Sequence, residues 1–130
     1  MEKTLKQEPA NCIKVVLFGP ESTGKTTLSR QLARHYNSIW VPEFAREYLQ
    51  DKWNNERKTC EPDDLLPIAY GQMKLENELA KKTDSVLICD TDLLETKVYS
   101  EAYYTGSCDP LLEKNALENT YDLYFLTYID

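Results

Sequence analysis

Eight consecutive residues, Gly19-Pro20-Glu21-Ser22-Thr23-Gly24-Lys25-Thr26, fit the spacing G-x-x-x-x-G-K-[ST]. That spacing serves phosphate chemistry. Glycine lets the backbone turn its N–H groups inward onto an anion, and a helix starting directly behind the loop adds partial positive charge at its N-terminus. Lys25 is sited to reach the β- and γ-phosphates, and the Thr26 hydroxyl to take one position on a magnesium ion. Gly19, Glu21, Ser22, Thr23, Gly24, Lys25, Thr26 and Thr27 are therefore candidate nucleotide-binding residues. ATP and Mg2+ are the cofactors they imply.

Other side chains fall where such a loop needs support. Asp90 closes the apolar run Ser85-Val86-Leu87-Ile88-Cys89, and a carboxylate there can hold magnesium directly or through water. Capping the next helix is the competing role for an Asp. One helix needs one cap, so Thr91 or Asp92 takes that role and Asp90 the metal. Glu43 follows Ile39-Trp40-Val41-Pro42, at the carboxyl end of a short strand, where parallel sheets bind ligands. A carboxylate there can accept a proton from a substrate hydroxyl; an ion pair with Arg46 is the plainer alternative. Arg46 can instead bind a substrate oxygen or phosphate. Gln72 interrupts an apolar stripe, and a buried amide must find partners, in a ligand or in the protein itself. Tyr99, Tyr103 and Tyr104 read as packing. His35, the one histidine, reads as a helix C-terminal residue favourable to the dipole.

The hydrophobic pattern predicts the elements that must position these groups. Ile13 to Phe18 is a β-branched run ending in glycine, a strand buried on both faces. Leu28, Leu32 and Tyr36 recur every four residues and predict a helix from Lys25 to His35, ended by Asn37. A strand over 39–41 and a helix over 44–52, pairing Phe44 with Tyr48, come next, followed by a polar loop over 54–62. Leu65, Ile68, Gln72, Leu75 and Leu79 predict a long helix over 63–82, with Pro67 tolerated only in its first turn. A strand over 85–90, a helix over 92–104 closed by Gly106, a shorter helix over 110–119 and a strand over 122–128 complete the pattern. Alternating strands and helices imply an α/β fold, a parallel sheet with helices on both faces. Residues 1–12 are polar and read as a flexible N-terminus, leaving 13–130 as one domain.

Composition limits the partners. The 130 residues are 42% hydrophobic and 28% charged, ordinary for one globular domain. No apolar run approaches ~18 residues, so no membrane partner is expected. A net charge of −7 argues against general affinity for nucleic acid or anionic lipid. Residues 1–60 nevertheless hold 10 Lys/Arg against 7 Asp/Glu, and residues 61–130 hold 5 against 15. An anionic ligand should prefer the first half. Four cysteines without C-x-x-C spacing, and a single histidine, offer no zinc set and read as free thiols of a reducing cytoplasm.

Together, Gly19 to Thr27, Val41-Pro42-Glu43-Phe44-Ala45-Arg46-Glu47-Tyr48-Leu49, Ile68-Ala69-Tyr70-Gly71-Gln72, Asp90-Thr91-Asp92 with Thr96, and Tyr121-Asp122-Leu123-Tyr124 carry a more specific signal. Over about residues 13–130 the chain resembles the ribosylnicotinamide kinase domain of NadR-type bacterial proteins, P-loop AAA-family ATPases. The resemblance implies a nucleoside-kinase-like P-loop NTPase fold. It also implies transfer of the γ-phosphoryl of ATP to the 5′-hydroxyl of nicotinamide riboside, giving nicotinamide mononucleotide in NAD biosynthesis. By position, Gly19 to Thr27 would hold ATP, Asp90 and Thr26 the metal, and Glu43, Arg46, Gln72 and Asp92 the riboside. Lys25 and Glu43 or Asp92 would then be catalytic. The resemblance further implies an arginine-containing lid after the last strand. The last arginine here is Arg57 and the sequence stops at Asp130, so the expectation is a C-terminally truncated or divergent domain whose last strand is an uncovered edge open to self-association. An ATP-binding module without transferase activity, or a kinase of another small hydroxyl-bearing metabolite, is the alternative.

If the phosphates lie at Gly19 to Thr26, Lys25→Ala should abolish or strongly weaken Mg-ATP binding while the circular dichroism spectrum stays unchanged. Equal affinity of the two proteins by calorimetry would remove the assignment.

Overall fold

The computed structural model describes residues 5–18, 24–93, 96–97, 100–101 and 109–126. Its elements are β1 (Ile13–Phe18), α1 (Lys25–His35), β2 (Ile39–Val41), α2 (Phe44–Glu56), a 3-10 turn (Pro62–Asp64), α3 (Leu65–Ala80), β3 (Val86–Cys89), α4 (Pro110–Glu118) and β4 (Leu123–Leu126). Leu93, Thr96, Lys97, Ser100 and Glu101 are also helical, within the helix predicted over 92–104; Tyr99, Tyr103, Tyr104 and Gly106 lie outside the described residues. Pro67 falls in the first turn of α3, where its missing N–H costs nothing. Asn37 follows α1 with a φ of 49°, a left-handed conformation that asparagine tolerates.

The four strands form one parallel sheet in the order β2-β3-β1-β4. Alternation along each strand sorts side chains onto its two faces. Val15, Leu17 and Ile88 meet Ala33 of α1 on one face. Val16, Val41, Leu87 and Cys89 meet Ala80 of α3 on the other. The sheet is thus covered on both faces, as parallel strands require. A further cluster of Ala69, Met73, Leu93, Leu112 and Ala116 joins α3 to α4. β4 is the edge of the described sheet, with Leu123, Tyr124 and Phe125 exposed.

One predicted stripe is rotated and another is wider than expected. On α1 the buried row is Lys25, Ser29 and Ala33, while Leu28 and Tyr36 are exposed. Small residues every four positions let the helix lie close on the sheet, and the same row carries Lys25 toward the strand ends. On α3 the predicted Leu65, Ile68 and Gln72 are buried and Leu75 and Leu79 partly so, while Ala69, Met73, Glu76, Asn77 and Ala80 widen the buried face.

Part of the expected flexible N-terminus is built into the fold. Leu5 is buried in the α3–α4 cluster. Asn77 accepts from the Glu8 N–H at 3.0 Å and donates to the Lys6 carbonyl at 3.0 Å. Asn119 accepts from the Gln7 N–H at 3.2 Å and donates to the Leu5 carbonyl at 3.1 Å. These asparagines do the work of a neighbouring strand for a segment that has none. Beneath them Glu76, 0% exposed, accepts from Tyr121 Oη at 2.5 Å, Gln7 Nε2 at 3.1 Å and Lys14 Nζ at 3.2 Å. Burial, with Glu76 beside it, pushes the Tyr121 hydroxyl well above its ordinary value.

Among the described residues Cys12, Cys60 and Cys89 are free thiols, and no helix is long and apolar enough to cross a membrane.

Removing one partner of a buried ion pair strands the other charge, at a cost of about 3–5 kcal/mol. Glu76→Ala should therefore lower the urea unfolding free energy by that order, and Lys14→Met combined with Glu76→Met should recover only the share due to the stranded Lys14 charge, because the Tyr121 hydroxyl and the Gln7 amide still lose their acceptor. A loss in the double variant equal to that of Glu76→Ala would show that the pair contributes nothing as a pair.

Candidate active site

Sheet register brings the chemistry together. Val16 and Val41 both stand opposite Cys89, so β1, β3 and β2 share one row near their carboxyl ends. Beyond that row come Asp90 from β3 and Pro42 and Glu43 from β2. The Asp90 N–H donates to the Val41 carbonyl at 3.0 Å, which fixes β3's exit against β2's.

Gly24 opens α1 with a φ of 79°, a left-handed conformation that a side chain would strain. Lys25 is the first helical residue and largely buried, with Nζ 3.8 Å from Glu43 Oε2. Glu43 is the N-cap residue of α2, yet its side chain makes no capping bond, so the carboxylate is committed to Lys25 rather than to its own helix. One residue along, Thr26 Oγ1 donates to Asp90 Oδ2 at 2.8 Å and accepts from Arg46 Nη2 at 3.2 Å. Ser29 Oγ lies 3.5 Å from Asp90 Oδ1 and donates to the Lys25 carbonyl at 2.8 Å. Lys25, Thr26, Glu43, Arg46 and Asp90 thus form one group drawn from two strand ends and two helix starts.

Asp90 is 1% exposed. Burial pushes its carboxyl above the ordinary carboxylate range; the Thr26 hydroxyl, Lys25 and Arg46 act in the opposite direction, while Glu43 adds to the rise. A divalent cation suits such a group, because it would offset the charge that burial disfavours. Thr26 and Asp90 present adjacent oxygens for it, a hard-donor pair of the kind magnesium takes. Among the described residues no group of three or more His, Cys, Asp or Glu is placed to hold a metal.

Gln72 has partners within the protein. It is 2% exposed, its Oε1 accepts from the Phe44 N–H at 2.8 Å and its Nε2 donates to the Pro42 carbonyl at 3.1 Å. Arg46 reaches Thr26, while Glu43 pairs with Lys25. Asp92 is buried two residues beyond Asp90, and Thr27 lies on the exposed side of α1. Gly19, Glu21, Ser22 and Thr23 lie outside the described residues. Ser29 was not foreseen; its signal is the four-residue step from Lys25, which puts both on one helix face.

A carboxyl with a raised folded-state pKa binds more protons folded than unfolded, so its contribution lowers stability as pH rises through that window. Asp90→Asn should thus raise the melting temperature, with a wider gap from the parent at pH 8 than at pH 4, and should remove any stabilisation by magnesium. A gap that narrows with rising pH would contradict the burial argument.

Comparisons with known proteins bear on the family and the fold. The family model described as an AAA domain matches residues 14–130. The trifunctional NAD biosynthesis/regulator proteins NadR of Salmonella typhimurium and Escherichia coli are each 28% identical over 112 residues, covering 86% of this chain and 27% of theirs. A crystal structure of NadR protein in complex with NR superposes with a TM-score of 0.72 at 30% identity, over 88% of this chain and 33% of that one. A second, in complex with NAD and AMP-PNP, gives 0.73 at 29% identity, over 88% and 34%. The chain spans about a quarter of the length of the curated relatives and a third of the solved ones. A parallel sheet, a phosphate-loop sequence opening α1, and a matching family model over nearly the whole length lead to one conclusion: this chain belongs to the AAA domain family of P-loop proteins and is similar to part of NadR.

Proposed function

We propose that the chain is an ATP-dependent kinase that phosphorylates the 5′-hydroxyl of nicotinamide riboside. The observation that carries this reading is the paired arrangement at the strand ends. Lys25 with Glu43 stands on one side and Thr26 with Asp90 on the other. The likeness to NadR structures holding NR, or NAD and AMP-PNP, supports the choice of nucleotide and nucleoside.

The chemistry asks chiefly for positioning and charge stabilisation. The riboside oxygen forms a bond to the γ-phosphorus as the bond from that phosphorus to the β,γ-bridging oxygen breaks. ADP leaves, and the hydroxyl proton passes to a carboxylate. Glu43 suits that role better than Asp92: its side chain retains 29% exposure beside Lys25, whereas Asp92 is 4% exposed. Lys25, now paired with Glu43, has the reach and charge to engage the β- and γ-phosphates, and doing so would release Glu43 for the hydroxyl. Arg46 places a second cation beside Thr26, where charge gathers on the transferred group. Magnesium, held by Thr26 and Asp90, would neutralise phosphate charge when bound. Gly19, Glu21, Ser22, Thr23, Gly24 and Thr27 complete the proposed ATP cradle, and Arg46 and Asp92 the riboside side.

Glu43→Gln should lower kcat for nicotinamide riboside by about 10²–10⁴-fold, the usual contribution of a general base, while the calorimetric affinity for Mg-ATP changes by less than about threefold. Unchanged turnover would move the proton to another acceptor. ATP binding without phosphorylation of the riboside or of a panel of nucleosides by the parent protein would replace the kinase reading with a nucleotide-binding module.

A further inference from the structure

Helix α2 begins without a cap of its own. The first N–H groups of a helix have no intrahelical partner, and the N-cap side chain usually supplies one. Glu43 occupies that position and its carboxylate makes no capping bond. The Phe44 N–H is satisfied from outside the helix, by Gln72 Oε1 at 2.8 Å. The same amide donates through Nε2 to the Pro42 carbonyl at 3.1 Å. One buried side chain on α3 therefore grips the backbone on both sides of Glu43.

Three features make the grip stiff. Pro42 fixes its own φ and has no N–H to compete. Gly71, next to Gln72, lies against the Phe44 ring so closely that a methyl group there would overlap it. Gln72 is 2% exposed, and its polar atoms have water excluded from them. The Arg46 N–H at the third helical position meets the Glu43 carbonyl at 3.3 Å, and the Glu43 carboxylate, making no capping bond, stands 3.8 Å from Lys25.

We propose that Gln72 is a positioning residue for Glu43, holding the Pro42–Phe44 backbone so that the carboxylate faces Lys25 and the reacting hydroxyl. This rests on the kinase reading only for its catalytic consequence; the geometric part stands without it. A displacement of about 1 Å at a catalytic group can cost about 10²-fold in rate.

The test is a double-mutant cycle with a spectroscopic arm. Gln72→Met keeps the length and removes both bonds. It should lower kcat for nicotinamide riboside by about 10–100-fold, with the affinity for Mg-ATP within about threefold. Added to Glu43→Gln, it should lower kcat by less than about threefold more, because the group it positions is already disabled. If Gln72→Met does not fold, Gln72→Glu, which keeps an acceptor for the Phe44 N–H, takes its place with the same expected non-additivity. Multiplicative losses in the cycle would show that Gln72 acts independently of Glu43 and would overturn the proposal. The second arm follows the Glu43 carboxyl carbon by 13C NMR as pH is varied, with no substrate present. Its titration midpoint should differ between the parent and the Gln72 variant, because the distance to Lys25 changes. An unchanged midpoint overturns the positioning claim, whereas absence of turnover in the parent with a shifted midpoint removes the kinase reading alone.

Discussion

The register of three parallel strands is the constraint on which the rest depends. With Val16 and Val41 both opposite Cys89, the exits of β1, β2 and β3 lie side by side, and whatever follows those strands is forced into one neighbourhood. Lys25, Glu43 and Asp90 are far apart in sequence and meet only because of that row. A parallel sheet needs cover on both faces, and α1 and α3 supply it. Covering the sheet with α1 also fixes how that helix is rotated, because the row that packs, Lys25, Ser29 and Ala33, starts at the residue that must face the strand ends. Packing and chemistry share one helical face.

The two halves of the sheet treat buried polarity differently. In the amino-terminal part of β1, Lys14 is neutralised by Glu76, and Glu76 is bonded in turn by Tyr121 and Gln7. Such a network is self-contained, and it ties the N-terminal segment, α3 and the approach to β4 into one unit. At the carboxyl ends Asp90 is as deeply buried, yet burial outweighs its partners and holds its carboxyl above the ordinary range. The first arrangement serves stability. The second is disfavoured in isolation, a pattern characteristic of functional sites.

Sequence reasoning reached the strands, the helix order and the phosphate loop because these follow from local periodicity and from a motif with a mechanism behind it. β1, β2 and α1 begin and end where the apolar runs, Gly24 and Asn37 place them. It misplaced the stripe of α1 because apolarity alone ranks Leu28 and Tyr36 above Ser29 and Ala33, whereas close packing on a sheet favours the small residues. Glu76 and Asn77 were not legible, since a charged or amide side chain in a helix reads as surface until its distant partners are known. Their partners Tyr121 and Glu8 are 45 and 69 positions away. The packed start at Leu5 was missed for the same reason. Gln72 was legible as an anomaly, but only the structure places Pro42 and Phe44 on its two ends.

Charge completes the argument. A chain of net charge −7 is a poor receiver of polyphosphate in general. Its site differs from its average. Lys25 and Arg46, both from the basic first half, stand against Glu43 and Asp90, so these four side chains are close to neutral together before any ligand arrives. Distant acids on the exposed surface are screened within about 8–10 Å at physiological ionic strength, and buried neighbours are screened much less. The local set therefore governs what can bind. Any divalent cation taken by Thr26 and Asp90 would tip that set positive, which makes entry of phosphate and entry of metal mutually reinforcing by electrostatics alone.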